Sequence, residues 1–130
     1  MSGIKMIPGL LSDLYHIFSA SRRCYAIQLL SQRGYKEYPV RELAREITAI
    51  EHGIPKNDAT GEPYRNVYNA LCQTHLNTLS DTDLVVYNKR RQTITPRPRL
   101  RDSFILLRFN LSTYMLLCNQ PIENKNQARI

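Results

Sequence analysis

The stretch "VYNALCQTHLNTLSDTDLVVYNKRRQTITP", Val67–Pro96, changes its period partway along. Val67, Leu71 (or its neighbour Cys72), Leu76 and Leu79 recur at helical spacing. From Asp83 the pattern shortens. "DLVVYN" and "QTITP" are rich in β-branched residues, and Pro96 closes the second run. "NKRR" joins the two, so the segment predicts a helix followed by a two-stranded hairpin. Between Lys89 and Arg101 stand six basic residues and no acidic one.

Upstream, Leu10, Leu11, Leu14, Ile17 and Phe18 have helical spacing, with Ser12 and Asp13 as polar start signals nearby. A second helix is predicted over Ser21 to Gln32, burying Cys24, Ile27 and Leu30 or their neighbours, with Gly34 as its stop. "YKEYP" is short and aromatic, suited to a small strand beside the later hairpin. "VRELAREITAIEHG" is a third helix with Val40, Leu43, Ala44, Ile47 and Ile50 on one face, closed by Gly53 and Pro55. A polar loop of turn formers leads into the fourth helix, from about Glu62 to Ser80, where Pro63 is tolerated in the first turn. After the hairpin, "RDSFILLRFNLSTYMLLCNQ" forms a last, very apolar helix, and "PIENKNQARI" is a polar, frayed end.

Four helices, a hairpin and a helix predict a mainly α fold with a small β-hairpin, in the order of a winged helix-turn-helix with an added C-terminal helix. On this reading residues 1–99 are the winged helix-turn-helix DNA-binding domain, 100–119 a dimerisation helix and 120–130 a frayed tail.

"LYHIFSASRRCYAIQLLSQRG", "VRELAREITAIE" and "VYNALCQTHLNTLSDTDLVVYN" resemble the small haloarchaeal winged-helix proteins. The shared features are Arg22 and Arg23 starting the second helix, Glu42-Leu43-Ala44 in the third, and Thr74-His75-Leu76 before the hairpin. More loosely, "THLNTLSDTDLVVY" is similar to the recognition helix and wing of the ArsR-like repressors, with Asp83 where that family has a left-handed Gly. Asp tolerates that conformation better than most residues. The resemblance implies a cytoplasmic DNA-binding regulator without the metal-site Cys or His clusters of the ArsR-like group. A basic chain is atypical of haloarchaeal proteins and fits a regulator of viral or plasmid origin as well as a host one.

Composition agrees with a binding protein. A chain of 130 residues is one domain's worth, and 42% hydrophobic with 22% charged residues excludes a disordered chain. A net charge of +7 points to an anionic partner, nucleic acid or a membrane surface. Cys24, Cys72 and Cys118 have no metal-ligand spacing and read as buried thiols in a reducing compartment. The start "MSGIKMIPGLL" lacks the apolar run and cleavage site of a secretory leader.

On the fourth helix, Asn66, Asn69, Gln73 and Asn77 line the face opposite the apolar stripe, flanked by Arg65 and Thr74. Amides donate and accept at once, which matches adenine N6 and N7 in a major groove. The plainer alternative is a polar surface without a partner. Lys89, Arg90 and Arg91 at the hairpin tip suit phosphate contacts, which position a protein without reading sequence. Arg22 and Arg23 sit unfavourably against a helix dipole, implying either a phosphate contact or an internal carboxylate pair. His75 reads as a packed, hydrogen-bonded histidine.

The last helix is apolar round most of its circumference and must be covered on two sides. One side is its own domain. The other is assigned to a second copy through Phe104, Ile105, Leu107, Leu111, Tyr114 and Met115. Arg108 and Asn110 interrupt the apolar run, which argues against a membrane span. No catalytic constellation, cofactor motif or metal cluster stands out. The expected function is a homodimeric, sequence-specific regulator on double-stranded DNA with an inverted-repeat operator. The alternative is a protein-interaction module on the same fold.

Overall fold

The computed structural model describes residues 8–118, with side chains described over 13–109. The helices are α1 (Pro8–Phe18), α2 (Ser21–Ser31), α3 (Val40–His52), α4 (Gly61–Ala70), α5 (Leu76–Asp81) and α6 (Pro98–Cys118). The strands are β1 (Tyr38–Pro39), β2 (Val85–Asn88) and β3 (Thr93–Pro96). The molecule is thus mainly helical with one small antiparallel sheet in the order β1-β3-β2. The expected strand in "YKEYP" exists, Tyr38 pairing with Ile94 and Pro39 with Thr93. Pro39 is harmless there because β1 is an edge strand, where a missing N–H breaks no ladder.

Each helix forms for a reason visible in its residues. Prolines begin α1 and α6, where the first-turn amide has no intrahelical partner to lose. For α1 this corrects the Ser12–Asp13 start: the helix already runs through both. α3 buries Val40, Leu43, Ala44 and Ile47 and ends on Gly53, whose φ of 62° lies in the left-handed region. Ile50, expected on that inner stripe, is exposed. The inner place is taken by Thr48, one turn beyond Ala44, whose buried hydroxyl is satisfied by donating to the Ala44 carbonyl at 2.7 Å.

The fourth predicted helix is continuous from Gly61 to Asp81 but not uniform. Leu71–His75 is a π-helical segment between α4 and α5. The cause lies in the spacing of its apolar residues. Val67, Leu71, Leu76 and Leu79 are all fully buried, yet Leu71 and Leu76 are five apart. An α-helix would carry position 76 off the inward face, whereas an i→i+5 bond, here Leu76 N–H to Leu71 C=O, returns it. The core joins these leucines to Leu14, Ile17, Ile27, Leu30, Leu84, Val85, Ile94, Leu100 and Leu107 from the other elements. Cys24 and Cys72 are half-buried free thiols rather than fully buried ones. Among the described residues no helix is long and apolar enough to cross a membrane.

Candidate nucleic-acid interface

With Val67, Leu71 and Leu76 held inward, the opposite face of α4 and the π segment is turned to solvent. Arg65, Asn66, Asn69, Gln73 and Thr74 are all exposed. Asn77 differs: it is half-buried, and its Nδ2 donates to the Cys72 and Gln73 carbonyls at 3.4 and 3.2 Å. In an α-helix the Cys72 carbonyl would be bonded within the backbone ladder. Asn77 therefore serves the widened turn, which corrects its place in the outward-facing amide row.

The hairpin turn leans on this helix. Gln92 is the connector, in a left-handed conformation with φ of 55°. Its Oε1 accepts from the Tyr68 hydroxyl at 2.9 Å and from the Cys72 thiol at 3.3 Å. Its Nε2 donates to the Lys89 carbonyl at 2.8 Å, and its own carbonyl accepts from the Val40 N–H at 3.0 Å. One side chain and one carbonyl thus tie the turn to α4 and to the start of α3. Behind it, burial first, and the Cys72 thiol second, push the Tyr87 hydroxyl up to about 12. Burial likewise raises Tyr68, partly opposed by the charge of Arg41.

The cations of this face divide into held and unheld. Arg91 is ion-paired with Glu37 at 3.0 Å, and Glu37 also accepts from Thr93 Oγ1. Arg97 is paired with Asp83 at 2.8 Å. Lys89 and Arg90 are exposed with no ion-pair partner among the described residues, and the same holds for Arg65 on α4 and Arg41 at the start of α3. Of the three predicted tip cations, two are therefore free for an external anion, while the third must first leave a carboxylate.

Arg22 and Arg23 divide in the same way between surface and interior. Arg22 makes a two-point contact with Glu51, Nε at 2.6 Å and Nη2 at 3.0 Å, which resolves it as an internal carboxylate pair. Arg23 is buried and has no carboxylate. It donates to the Ile17 and His16 carbonyls at 3.0 and 2.9 Å where α1 ends, and shares the His16 carbonyl with the Ser19 N–H and hydroxyl. Its Nη1 lies 3.0 Å from Nδ1 of His75. Arginine has no acceptor, so Nδ1 must be the unprotonated nitrogen and His75 the neutral Nε2–H tautomer. Burial chiefly, then Arg23 and Arg22, push the His75 pKa down, opposed only by Glu51. The expectation of a packed, hydrogen-bonded histidine agrees with this geometry.

The predicted self-association residues fare unevenly. Leu107 is 1% exposed and buried by its own chain, because Leu100, Ser103 and Leu107 form the stripe of α6 that faces the rest of the core. It is thereby removed from any free face. Phe104 also packs partly on that core, with the Arg108 guanidinium 5.8 Å from its ring centre. Ile105 is exposed, as is Phe109 beside it. Leu111, Tyr114 and Met115 lie outside the residues whose side chains are described.

A protein-family model described as "Domain of unknown function (DUF7344)" matches residues 15–95. The chain belongs to the DUF7344 family. No curated protein and no solved structure matches it. The DUF7344 match runs from Tyr15 in α1 to Thr95 in β3. It encloses the Arg23–His75 contact, the exposed face of α4 and the hairpin, and it ends before α6.

Two residues of this DUF7344 surface escape a reading of the sequence alone. Arg41 had a usable signal, since a cation in a helix's first turn opposes the dipole just as Arg22 and Arg23 do. Gln92 had none. It reads as one more polar turn residue until Tyr68 and Cys72 are brought to it across 24 and 20 residues of sequence.

Proposed function

We propose that this DUF7344 chain is a winged helix-turn-helix regulator that binds double-stranded DNA sequence-specifically as a homodimer. In this reading α3 and α4–α5 are the helix-turn-helix pair, α4 with the π segment is the recognition helix, and β2–β3 is the wing. The strand order β1-β3-β2 and the left-handed Asp83, at φ of 66°, are consistent with the resemblance to haloarchaeal and ArsR-like winged helices.

The observation that carries the reading is the Gln92 bridge. It holds the turn that carries the unpaired cations Lys89 and Arg90 against the Tyr68–Cys72 side of the helix whose exposed face bears Asn66, Asn69 and Gln73. A groove reader needs that combination: amides for base edges, cations for the flanking phosphates. Arg41 and Arg65 add two further free charges beside them. α6 is the dimerisation helix, with Ile105 on its exposed side, and two-fold pairing predicts an inverted-repeat operator.

The test is selection from random duplexes at fixed salt, followed by titration of the selected site. The N69A/Q73A variant is expected to lose most of the preference for that site while keeping its residual affinity for unrelated duplex. No enriched motif would refute specific readout and favour the interaction-module alternative; an enriched motif bound equally well by the variant would refute readout through Asn69 and Gln73.

A further inference from the structure

Away from the helix–hairpin face, a cavity of about 440 Å³ opens between the end of α2, the end of β3 and the first half of α6. That size is within the range of small-molecule sites, which combine apolar walls with a few polar groups. Its walls are Leu30, Tyr35, Pro96, Leu100, Phe104 and Ile105. Three polar side chains complete it: Ser31, Arg97 and Arg101. Arg97 is already committed to Asp83, whereas Arg101 has no ion-pair partner among the described residues. An apolar hollow with an uncommitted guanidinium in its wall suits one ligand chemistry.

We propose that this cavity binds a small amphipathic carboxylate, its hydrocarbon body against Leu100, Phe104 and Ile105 and its anionic end on Arg101. Arginine is the appropriate residue, because its planar fork matches a carboxylate at two points. The assignment goes beyond the DNA reading and does not depend on it. Bound there, the ligand bridges the body of the domain to α6, so its occupancy would alter how firmly α6 is held.

Amide chemical shifts of the full chain, followed during titration with octanoate, octan-1-ol and octyltrimethylammonium, test this directly. Octanoate should saturably shift the amides of Leu30, Ser31, Tyr35, Leu100, Arg101 and Ile105. It should bind about tenfold more tightly than octan-1-ol, the expected worth of one charge-assisted contact. R101A should abolish that preference, and I105W, which fills the mouth, should weaken both probes. Equal affinity for the alcohol in the unaltered chain overturns the anionic assignment, as does tighter binding of the ammonium. Unsaturable shifts, or shifts centred elsewhere, overturn the site itself. If the same amides instead respond to protein concentration and not to octanoate, a second copy covers the cavity and the ligand is excluded.

Discussion

Arg23 and His75 meet at 3.0 Å although 52 residues separate them, and the contact fastens the α1–α2 junction to the π segment of the exposed helix. Arg23 makes all its bonds to neutral acceptors, so its position depends on His75 remaining uncharged.

That dependence has a pH signature. The His75 pKa is lower in the folded chain than its usual 6.5, so the unfolded chain binds more protons in between. The stabilisation is complete above the unfolded value and is lost as pH falls through the folded one. Thermal unfolding followed by circular dichroism should show Tm declining below about pH 6.5. H75N offers Arg23 a side-chain acceptor that does not titrate, and should flatten that part of the curve. An unchanged slope in H75N would assign it to another group.

Truncating the two neighbouring arginines should have unequal effects. R23A strands the Ile17 carbonyl and the His75 ring nitrogen, while the His16 carbonyl keeps its bonds from Ser19, and should cost about 2–4 kcal/mol. R22A breaks a partly exposed pair with Glu51 and should cost about 1 kcal/mol or less. R23K should recover little, because one ammonium cannot reach acceptors arranged for a fork. Urea denaturation of the three variants decides the order.

Asp83 offers a backbone test. Its φ of 66° is strained for a residue with a β-carbon. D83A keeps the strain and loses the Arg97 pair, and should destabilise by about 1 kcal/mol. D83G loses the same pair but relieves the strain, and should be near neutral. Equal losses in both would mean that the ion pair, not the conformation, matters.

For DNA, the division between held and unheld cations predicts salt dependence. Plotting log K against log salt, K89A/R90A should flatten the slope by about 2. R91A should change it by less, because Arg91 is engaged by Glu37. E37A, which frees Arg91, should steepen it. A larger effect from R91A than from the double variant would contradict the assignment. Q92A removes no charge, yet should weaken binding by loosening the turn, with a slope close to that of the unaltered chain.

Local spacing, composition and end signals were enough to find the α-helices, the hairpin and the small strand at Tyr38, but not the single 3-10 turn at Lys56–Asp58 in the loop before α4. The spacing also held a clue left unread: the five-residue step from Leu71 to Leu76 is the mark of the π segment. Leu107 was misplaced for a different reason. On a helix apolar nearly all round, sequence shows that two sides must be covered but not which side faces its own domain.

The candidate interface was legible as residue types: amides on α4, cations on the hairpin. Which charges are free was not. Glu37 takes Arg91, Glu51 takes Arg22, Asp83 takes Arg97, and Gln92 brings the turn against Tyr68. Helical and strand spacing is set by neighbours along the chain, so the sequence by itself determined which elements form and which apolar stripe of α3 and α4 turns inward. Ion pairs and side-chain bridges form between groups brought together from distant segments, and for this protein only the tertiary structure decided them.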